Sequence, residues 1–484
     1  DYSTGLMRPR KNGNWLRPFH GSEINNHFTE GNSWQYSFYV PHDINGLIQL
    51  HGGKINFEKK LDELFTTSEK TRGRDQADVT GLIGQYAHGN EPSHHMAYLY
   101  NYVGAPHKTV KRVQQIRNDF YKNRPDGLIG NEDCGQMSAW YVFSAMGLYP
   151  VCPASEEYAL GLPLFKSIKI NLDNGKTFLI TNAVAPGKNV SAVEVNGKTN
   201  LRPAIAHQAF TRGGTLQFLF VSKQEGEQSY GRGKYSLQSM PYPDPVLIPA
   251  PLIQSPTQVF KQQLLVKIRP VNKEKVECTY TTDGSMPLRS SQKYLKHLVL
   301  DSNAVVKARA WTLTDSSTVS TAVFYKIKYN YKVQLNAKPN PQYAVEGAQS
   351  LIDGIKGSVN WRKGNWLGFQ GQDFECTVDL NREKEIASVA LSVLQDTRSW
   401  IVFPKEVSFY GSKDGKSYEL LGTSNNNIQP DNYELLIHQF KTTLPNRKLL
   451  WYIKIKAKNF GKLPAWHQGS GGEAFIFADE IDIE

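Results

Sequence analysis

Two stretches of this sequence carry carboxylates, amides, imidazoles and aromatic rings at a density that a packed core does not need. The first is residues 81–102, GLIGQYAHGNEPSHHMAYLYNY, and the second is residues 130–149, GNEDCGQMSAWYVFSAMGLY. Gly or Pro interrupts both, which places the polar residues on loops between short helical segments. Clusters of this kind are typical of sites that cleave sugars or bind metal ions.

Cleavage of a glycosidic bond needs one carboxylic acid that protonates the leaving oxygen and a second carboxylate that activates water or attacks the sugar. Three places offer acidic residues in suitable surroundings: Glu30 in TEGNSWQY, Glu91 in HGNEP, and Glu132 with Asp133 in GNEDCGQ. For each residue alone, a helix cap or a solvated loop carboxylate is the alternative interpretation. Three such clusters, each with neighbouring amides and aromatics, favour catalysis.

The histidines of the first stretch do not have the spacing of zinc ligands. His94 and His95 are adjacent, so on a helix they point to different faces. His88, Asn90 and Glu91 instead offer oxygen atoms and one imidazole, a set that suits calcium better than zinc. For the histidines themselves, hydrogen bonds to substrate hydroxyls or loop carbonyls are favoured over metal ligation.

Length, composition and charge narrow the function classes. A chain of 484 residues is too long for one ordinary core, so about two to four domains are expected. Hydrophobic residues make up 39% and charged residues 21%, as in globular proteins. The net charge is +11, but Lys and Arg are scattered, so nucleic-acid binding is not predicted. The sequence contains no apolar run of about 20 residues, so no transmembrane helix is predicted.

The N-terminal third has the apolar spacing of helices. Residues 1–157 are interpreted as a helical domain, with predicted helices at 94–103, 110–120 and 138–146. Short helices separated by polar Gly/Pro loops suggest a helical toroid, with the loops at one mouth.

After this helical part the hydrophobic period changes to two. Residues 158–235 alternate apolar and polar positions around NG and GG turns, which predicts a β-sandwich layer. Residues 236–251 are polar and Pro-rich and are interpreted as a linker. Short strands predict an immunoglobulin-like sandwich over 252–330 and a jelly-roll-like sandwich over 331–484.

Several long motifs carry a family resemblance. TEGNSWQYSFYVPHD, TGLIGQYAHGNEPSHHMAYLYNYVG and DGLIGNEDCGQMSAWYVFSAMGLYPVCP, with residues 158–181 after them, resemble glycoside hydrolase family 92 over about residues 1–235. That family consists of calcium-dependent, inverting exo-α-mannosidases abundant in gut Bacteroidetes. The resemblance implies part of an (α/α)6 barrel packed on a β-sandwich, in a multidomain α+β protein. It implies mannose-containing glycans, such as mannose-rich N-glycans or mannan, as the partner.

The resemblance also implies roles for individual residues. The family's general acid corresponds to Glu30 and its base to Asp133, while many relatives carry an Asp where this chain has Asn131. Calcium contacts are implied for Asn90 and Glu91. The residues expected to bind substrate are Trp34, His88, Asn90, Glu91, His94, Asn131 and Glu132.

Gly89 bears on the glycosidic linkage. Some relatives that prefer α-1,2-mannosides carry an acidic residue at the corresponding place, after the His of this motif. Activity on α-1,2-mannosides is predicted, because it recurs in the family, and relaxed or α-1,3 preference is the alternative.

The two C-terminal domains resemble accessory modules. YTTDGSMP with KARAW resembles the small β-sandwich of bacterial β-hexosaminidases, to which no site is assigned. Residues 342–484 resemble a discoidin (factor 5/8 type C) domain, as in family 32 carbohydrate-binding modules, which implies a structural calcium ion between Asp353 and Glu473. Exposed loop aromatics bind sugar in such modules, and the candidates are Trp361, Trp366, Trp400 and Trp466. For Trp366, core packing is favoured over sugar binding.

The opening DYSTGLMRPRKNGNW looks like neither a natural start nor a signal peptide. Family members begin with a β-sandwich and the first barrel helices, so an N-terminal part of the same polypeptide is expected to be missing. A periplasmic, outer-membrane-attached or secreted location is expected. Two functions compete: an exo-α-mannosidase, and a non-catalytic glycan-binding fragment that uses the discoidin-like module.

Overall fold

Short helices joined by Gly- and Pro-containing turns form the first part of the chain in the computed structural model. The structure describes residues 1, 3–183, 188–222, 230–239, 248–271, 276–327, 329–345 and 347–484. The chain divides into two units, Asp1–Pro9 with Leu16–Pro245 and Arg10–Trp15 with Val246–Glu484. Half of the predicted linker, residues 240–247, lies outside the described residues.

The first unit holds all the α-helices found in the described residues. They are Ser33–Ser37, Ile44–Leu50, Lys54–Thr66, Tyr100–Val103, Pro106–Phe120, Gln136–Met146 and His207–Thr211. Helix Pro106–Phe120 begins at a proline, whose missing N–H is not needed in the first turn, and it buries Val113 and Ile116 at helical spacing. None of the helices in the described residues has the length and apolar character to cross a membrane.

The predicted helix over 94–103 is wrong as a continuous helix. The chain instead forms two 3-10 turns, Glu91–Ser93 and Met96–Tyr98, and one α-helical turn, Tyr100–Val103, that ends at the left-handed Gly104. Every side chain from Ser93 to Val103 is buried. Because no face of this segment meets water, packing on all sides decides its path and overrides helical periodicity.

The β-strands of the first unit follow the predicted period of two. A five-stranded sheet contains, in spatial order, Lys198–Asn200, Lys188–Val195, Gly214–Ser222, Thr177–Asn182 and Ser167–Asn171. A three-stranded sheet contains Ala204–Ala206, Glu157–Leu160 and Leu148–Tyr149. Alternate residues of these strands, such as Phe178 and Ile180, are buried in a shared core. Short strand pairs also join Glu23–Ile24 with Arg72–Gly73 and Leu82–Ile83 with Tyr86–Ala87.

The second unit is built almost entirely from strands. Its first part packs the sheet Leu252–Gln254, Leu264–Arg269, Leu298–Leu300 with the sheet Val259–Phe260, Ser320–Lys326, Ala304–Trp311, Glu277–Thr281, Gln292–Lys293. The hairpin Arg10–Lys11 and Asn14–Trp15 joins this part, because Asn12 accepts a hydrogen bond from the Val323 N–H at 2.7 Å.

The last part is a seven-stranded sheet wrapped around its own core. It contains, in spatial order, Leu367–Gln370, Phe475–Ile483, Phe374–Gln395, Leu436–Ala457, Glu406–Ser412 and Glu419–Asn425, with Lys332–Leu335 paired to Phe374–Gln395. The chain is therefore a mixed α+β protein with several β-sheets, as predicted, while the (α/α)6 and discoidin assignments stay predictions.

Candidate functional site

The Glu30 loop is tied to the HGNEP segment by side-chain amides. The Asn90 Nδ2 donates to the backbone oxygen of Glu30 at 2.6 Å. Asn32 caps the helix Ser33–Ser37, and its Nδ2 donates to the Gln85 Oε1 at 2.8 Å. Glu30 itself is exposed and holds a left-handed backbone with φ of 53°. The first predicted carboxylate is therefore presented beside Asn90.

The HGNEP and GNEDCG segments also meet, at Thr80. A Cβ added at Gly89 would collide with the Thr80 Oγ1, and a Cβ at Gly130 would lie 2.6 Å from the same oxygen. One residue further along, the Asn131 Nδ2 donates to the Asp78 Oδ1 at 2.9 Å. The GNEDCG segment is thus packed against the HGNEP segment and the loop before it, about 40 residues earlier in the chain, at two glycines that leave no room for side chains.

Asp133 lies in a strained turn. Asp133, Cys134 and Gly135 have φ of 53°, 58° and 87° in succession. A non-glycine residue in such a region costs on the order of 1 kcal/mol or more, so its surroundings must hold it there. Glu132 supplies one restraint, since its carboxylate accepts from the Ser138 N–H and Oγ–H, both at 3.0 Å. The Glu132 carboxylate is therefore bonded to the first turn of helix Gln136–Met146. The exposed Asp133 carboxylate accepts no hydrogen bond from the described residues.

His88 anchors the HGNEP segment through hydrogen bonds to two tyrosines. Its side chain is fully buried, with Nδ1 2.7 Å from the Tyr86 hydroxyl and Nε2 2.7 Å from the Tyr121 hydroxyl. Burial, helped by the neighbouring His94, holds the pKa of His88 well below its usual value. Both nitrogens are used, so none remains for a sugar hydroxyl, which differs from the predicted substrate contact.

His94 is also buried, between His88 and the Asp133 loop. Its Nε2 donates to the His88 backbone oxygen at 3.0 Å, and the Trp140 indole N–H donates to the His94 backbone oxygen at 3.0 Å. Burial lowers the pKa of His94 to about 4, and the charge of Asp133 opposes part of that shift. The His94 Nδ1 is buried and has no hydrogen-bond partner among the described residues.

Trp34 is not brought to the site. It is 7% exposed, belongs to the helical core, and lies 4.5 Å beneath the Lys60 ammonium. The Trp34 ring therefore anchors helix Ser33–Ser37 in the core, which corrects the expectation that Trp34 binds substrate.

Asn90 and Glu91, the residues expected to bind calcium, offer few donor atoms. The Asn90 amide nitrogen donates to the Glu30 backbone oxygen, so the Asn90 Oδ1 is the atom that could bind a cation, and Glu91 is exposed. Among the described residues, no group of three or more His, Cys, Asp or Glu side chains could hold a metal ion. The residues fit a calcium ion only if backbone carbonyls, waters or substrate hydroxyls complete its shell.

Sequence reasoning missed Asp78, Thr80 and Tyr121. Asp78 and Thr80 lie in the loop RDQADVTG, where the only signal was a carboxylate next to the first chemical stretch. Tyr121 follows a helix and has no motif of its own, so only the fold reveals its contact with His88.

The second unit contains a different acidic group, around Glu480. The Gly354 N–H donates to the Glu480 Oε1 at 3.1 Å, and the Asp353 Oδ1 accepts from the Ile355 N–H at 2.7 Å. Asp479 Oδ1 and Glu480 Oε2 are buried without a partner among the described residues. Burial, with the charge of Asp353 next, raises the pKa of Glu480 to about 8. These buried carboxylate oxygens fit a cation only if backbone carbonyls and waters complete its shell.

Glu473 is placed elsewhere, which corrects its predicted pairing with Asp353. It pairs with Lys462 in an isolated β-bridge and packs beside Gly371. It lies seven residues before Glu480 along an extended segment, a span of about 23 Å. Glu480, and not Glu473, is the carboxylate that faces the Asp353 loop.

The four candidate tryptophans of the last part differ in exposure, and Trp366 is buried as favoured from the sequence. Trp361 and Trp366 are buried, and their indole N–H groups donate to Asp396 Oδ2 at 2.9 Å and to the Ser358 oxygen at 3.0 Å. Trp400 is half-buried against Gly469 and Gly472. Trp466 is 47% exposed.

Two residues that were not predicted join Trp466. The ring of Tyr433, 44% exposed, lies 6.3 Å from the Trp466 ring, and the Arg398 guanidinium lies 5.6 Å from the Tyr433 ring. His467 fixes the loop, since its Nε2 donates to the Thr397 oxygen at 2.7 Å. The structure therefore presents an aromatic and cationic surface on anchored loops.

Comparisons with known proteins match two parts of the chain. Residues 1–222 match the glycosyl hydrolase family 92 catalytic domain, and residues 258–324 match the chitobiase/beta-hexosaminidase C-terminal domain. Both matches confirm the resemblances read from the motifs in these regions. The discoidin resemblance of the last part stays a prediction.

Individual relatives are similar over up to half of the chain. An uncharacterized secreted glycosidase from Arthroderma benhamiae is 32% identical over 210 residues, 42% of this chain and 25% of that protein. A family 92 α-mannosidase from Bacteroides thetaiotaomicron is 38% identical, with a TM-score of 0.45 over 50% of this chain and 32% of that chain. A family 92 inverting mannosidase from the same organism is 34% identical, with a TM-score of 0.43 over 49% of this chain and 34% of that chain. The chain spans about a quarter of the length of the curated relative it matches.

Proposed function

We propose that this chain is part of a calcium-dependent, inverting exo-α-mannosidase that acts on mannose-rich N-glycans or mannan. The observation that carries the proposal is the convergence of the Glu30, Asn90 and Asp133 loops within the region matched by the family 92 catalytic domain. The matched region exposes Glu30 and Asp133 on left-handed turns, and the nearby Asn90, His88 and His94 are buried.

Glu30 is proposed as the general acid and Asp133 as the general base. An inverting reaction places a water between the base and the sugar, so the two carboxyl groups are expected about 6.5–9.5 Å apart in the complete site. Asn131, held by Asp78, occupies the place from which many relatives offer a second carboxylate, so Asp133 is expected to activate water without that help.

The decisive experiment measures release of mannose from α-mannobiosides by the full-length polypeptide that contains this chain. The family assignment predicts free mannose whose first-formed anomer is β, detected by NMR during the first minutes of reaction. Release of another sugar, or an initial α-anomer, would contradict the proposal.

Calcium is proposed to bind next to Asn90 and Glu91. When bound, it would hold two neighbouring mannose hydroxyls and favour ring distortion. The test is exhaustive chelation: activity should be lost with EDTA and return with Ca²⁺. Full activity after chelation, or rescue by Zn²⁺ alone, would contradict a calcium site.

For the linkage we propose a preference for α-1,2-mannosides. An exo site recognises mainly the terminal mannose, and Thr80 fills the space that a side chain at position 89 would use. The loss of one contact to a substrate hydroxyl can cost large discrimination factors, which makes α-1,3 the competing outcome. Comparison of kcat/KM on α-1,2-, α-1,3-, α-1,4- and α-1,6-mannobiose decides between them.

The second candidate function is glycan binding by residues 331–484, proposed to form a discoidin-like module. The surface made by Trp466, Tyr433 and Arg398 favours it, because exposed aromatic rings on fixed loops stack on sugar faces at little entropic cost. This function needs no catalytic carboxylate. Binding that survives loss of mannosidase activity would show that the two functions coexist.

We also propose that the protein works outside the cytoplasm, in the periplasm, on the outer membrane or secreted. Its match to a secreted glycosidase supports this location. Further N-terminal residues of the same polypeptide are proposed to complete the sugar pocket, since the relatives that match are several times longer than the matched region. Intact-mass measurement of the natural protein tests this.

A further inference from the structure

The chain segment between helices Pro106–Phe120 and Gln136–Met146 carries the strained turn at Asp133, and one tyrosine bridges its two ends. Tyr121 follows the first helix directly. Its hydroxyl lies 3.0 Å from the backbone oxygen of Met137, in the first turn of the second helix.

The direction of each hydrogen bond in this group can be assigned. The Met137 carbonyl only accepts, so the Tyr121 hydroxyl donates to it. The Tyr121 oxygen must then accept from the His88 Nε2–H, 2.7 Å away, which makes Nδ1 the unprotonated nitrogen. The Tyr86 hydroxyl therefore donates to Nδ1, also at 2.7 Å. The row runs Tyr86, His88, Tyr121, Met137, and each donor has one acceptor.

The members of this row cannot easily rearrange. Tyr86 and His88 are fully buried, and burial keeps His88 in its neutral form. The Tyr121 ring stacks on Trp140 at 5.8 Å with planes 7° apart. Tyr121 is thus held by its ring, and its hydroxyl has one place to donate.

The hydrogen-bond row ends at Met137, next to the strained turn at Asp133 and Cys134. Asp133 and Cys134 hold left-handed conformations that cost on the order of 1 kcal/mol or more each. The Met137 N–H donates to the backbone oxygen of Glu132 at 3.2 Å. Met137, whose own carbonyl accepts from Tyr121, is therefore bonded to the residue before the strained turn. Loss of the Tyr121 hydrogen bond would free the helix start, and with it the turn.

We propose that Tyr121 is a positioning residue, and that the hydrogen bond from its hydroxyl to the Met137 carbonyl, directed there by the neutral His88, holds the Asp133 turn in its strained form. The consequence for turnover rests on the proposed function, whereas the effect on the turn does not. Tyr121 touches no reacting atom in this scheme.

The test compares Tyr121→Phe with Tyr86→Phe in the full-length polypeptide. Each variant removes one hydroxyl from the same row and keeps the ring, but only Tyr121→Phe removes the bond to Met137. Hydrogen–deuterium exchange of peptides covering residues 130–138 should become about fivefold faster in Tyr121→Phe, as expected for one lost hydrogen bond. Tyr86→Phe should leave these amides unchanged although its melting temperature falls to a similar extent.

Kinetics supply the second readout. Tyr121→Phe should lower kcat on the preferred mannobioside about 10- to 100-fold with little change in KM, because a misplaced base affects chemistry more than binding. Equal exchange in the two variants would overturn the proposal. Faster exchange in Tyr121→Phe, combined with a wild type that cleaves no mannoside, would leave the positioning role intact and refute the proposed function.

Discussion

The His88 region of the first unit and the His467 region of the second unit each anchor a loop with a buried histidine whose two ring nitrogens are hydrogen-bonded. The side chains exposed near the two histidines differ. In the first unit, His88 is buried with Nδ1 and Nε2 bonded to Tyr86 and Tyr121. In the second, buried His467 donates from Nε2 to the Thr397 oxygen and accepts on Nδ1 from the Gly469 N–H at 2.8 Å. Both arrangements require a neutral imidazole protonated on Nε2.

The side chains exposed near these two buried histidines differ in chemistry. Above His88 the exposed groups are carboxylates, Glu30 and Asp133, on left-handed turns. Next to His467 the exposed groups are Trp466 and Tyr433. Carboxylates can transfer protons, whereas aromatic rings can only bind. The anchors therefore do not distinguish an active site from a binding surface, and the side chains exposed above them do.

The largest expected effect separates the two regions outright. Glu30→Gln should lower kcat on natural mannosides about 10²- to 10⁴-fold, because their leaving group must be protonated. An activated aryl mannoside, which leaves without protonation, should lose far less. Glycan binding by residues 331–484 should not change, and equal losses on both substrates would count against Glu30 as the acid.

A second effect concerns the buried imidazoles of the first unit. Burial lowers the pKa of His95 to about 4, and its Nε2 donates to the Phe38 oxygen at 2.9 Å. The unfolded chain takes up this proton below about pH 6.5 and the folded chain does not, so stability present above pH 6.5 is lost as the pH falls toward 4.

The size of this loss is on the order of 3 kcal/mol for His95 alone. Urea unfolding between pH 7 and pH 4.5 measures it. His95→Gln keeps a donor for Phe38 and should flatten the dependence, while a change at the exposed His20 to Gln should not. Parallel slopes for all three proteins would remove His95 as the cause.

Calcium should stabilise the second unit through Glu480. Free Ca²⁺ at a hundredfold its dissociation constant should add about 2.7 kcal/mol to the stability of that unit. Thermal melting with Ca²⁺ and with EDTA should show this shift in the wild type and in Glu473→Gln. Glu480→Gln should abolish this shift. A shift that is lost in Glu473→Gln but kept in Glu480→Gln would instead support the predicted calcium site between Asp353 and Glu473.

The smallest expected effect tests the binding surface. Trp466→Ala should weaken binding of the recognised glycan about tenfold, equivalent to about 1.4 kcal/mol. Leu420→Ala, which removes a comparably exposed apolar side chain outside these loops, is the control. Titration calorimetry on the ligand found by a glycan array measures both, and equal affinities would place the binding surface elsewhere.

Local sequence predicted much of the fold. Alternating apolar residues with NG and GG turns predicted strands within residues 158–235, and the structure has strands there at 167–171, 177–182 and 214–222, because each strand buries one face. The helix at 94–103 failed because a segment buried on every side has no periodicity that reports its shape.

By itself the sequence determined which residues could do chemistry: the carboxylates at Glu30 and Asp133 sit in motifs long enough to indicate a family. The tertiary structure alone decided what each neighbour does. It buried Trp34 and His88, exposed Trp466, and set Glu480 in place of Glu473 beside Asp353. The physical reason is that exposure and hydrogen-bond partners depend on segments distant in the chain, and no local pattern records which segment will cover a side chain.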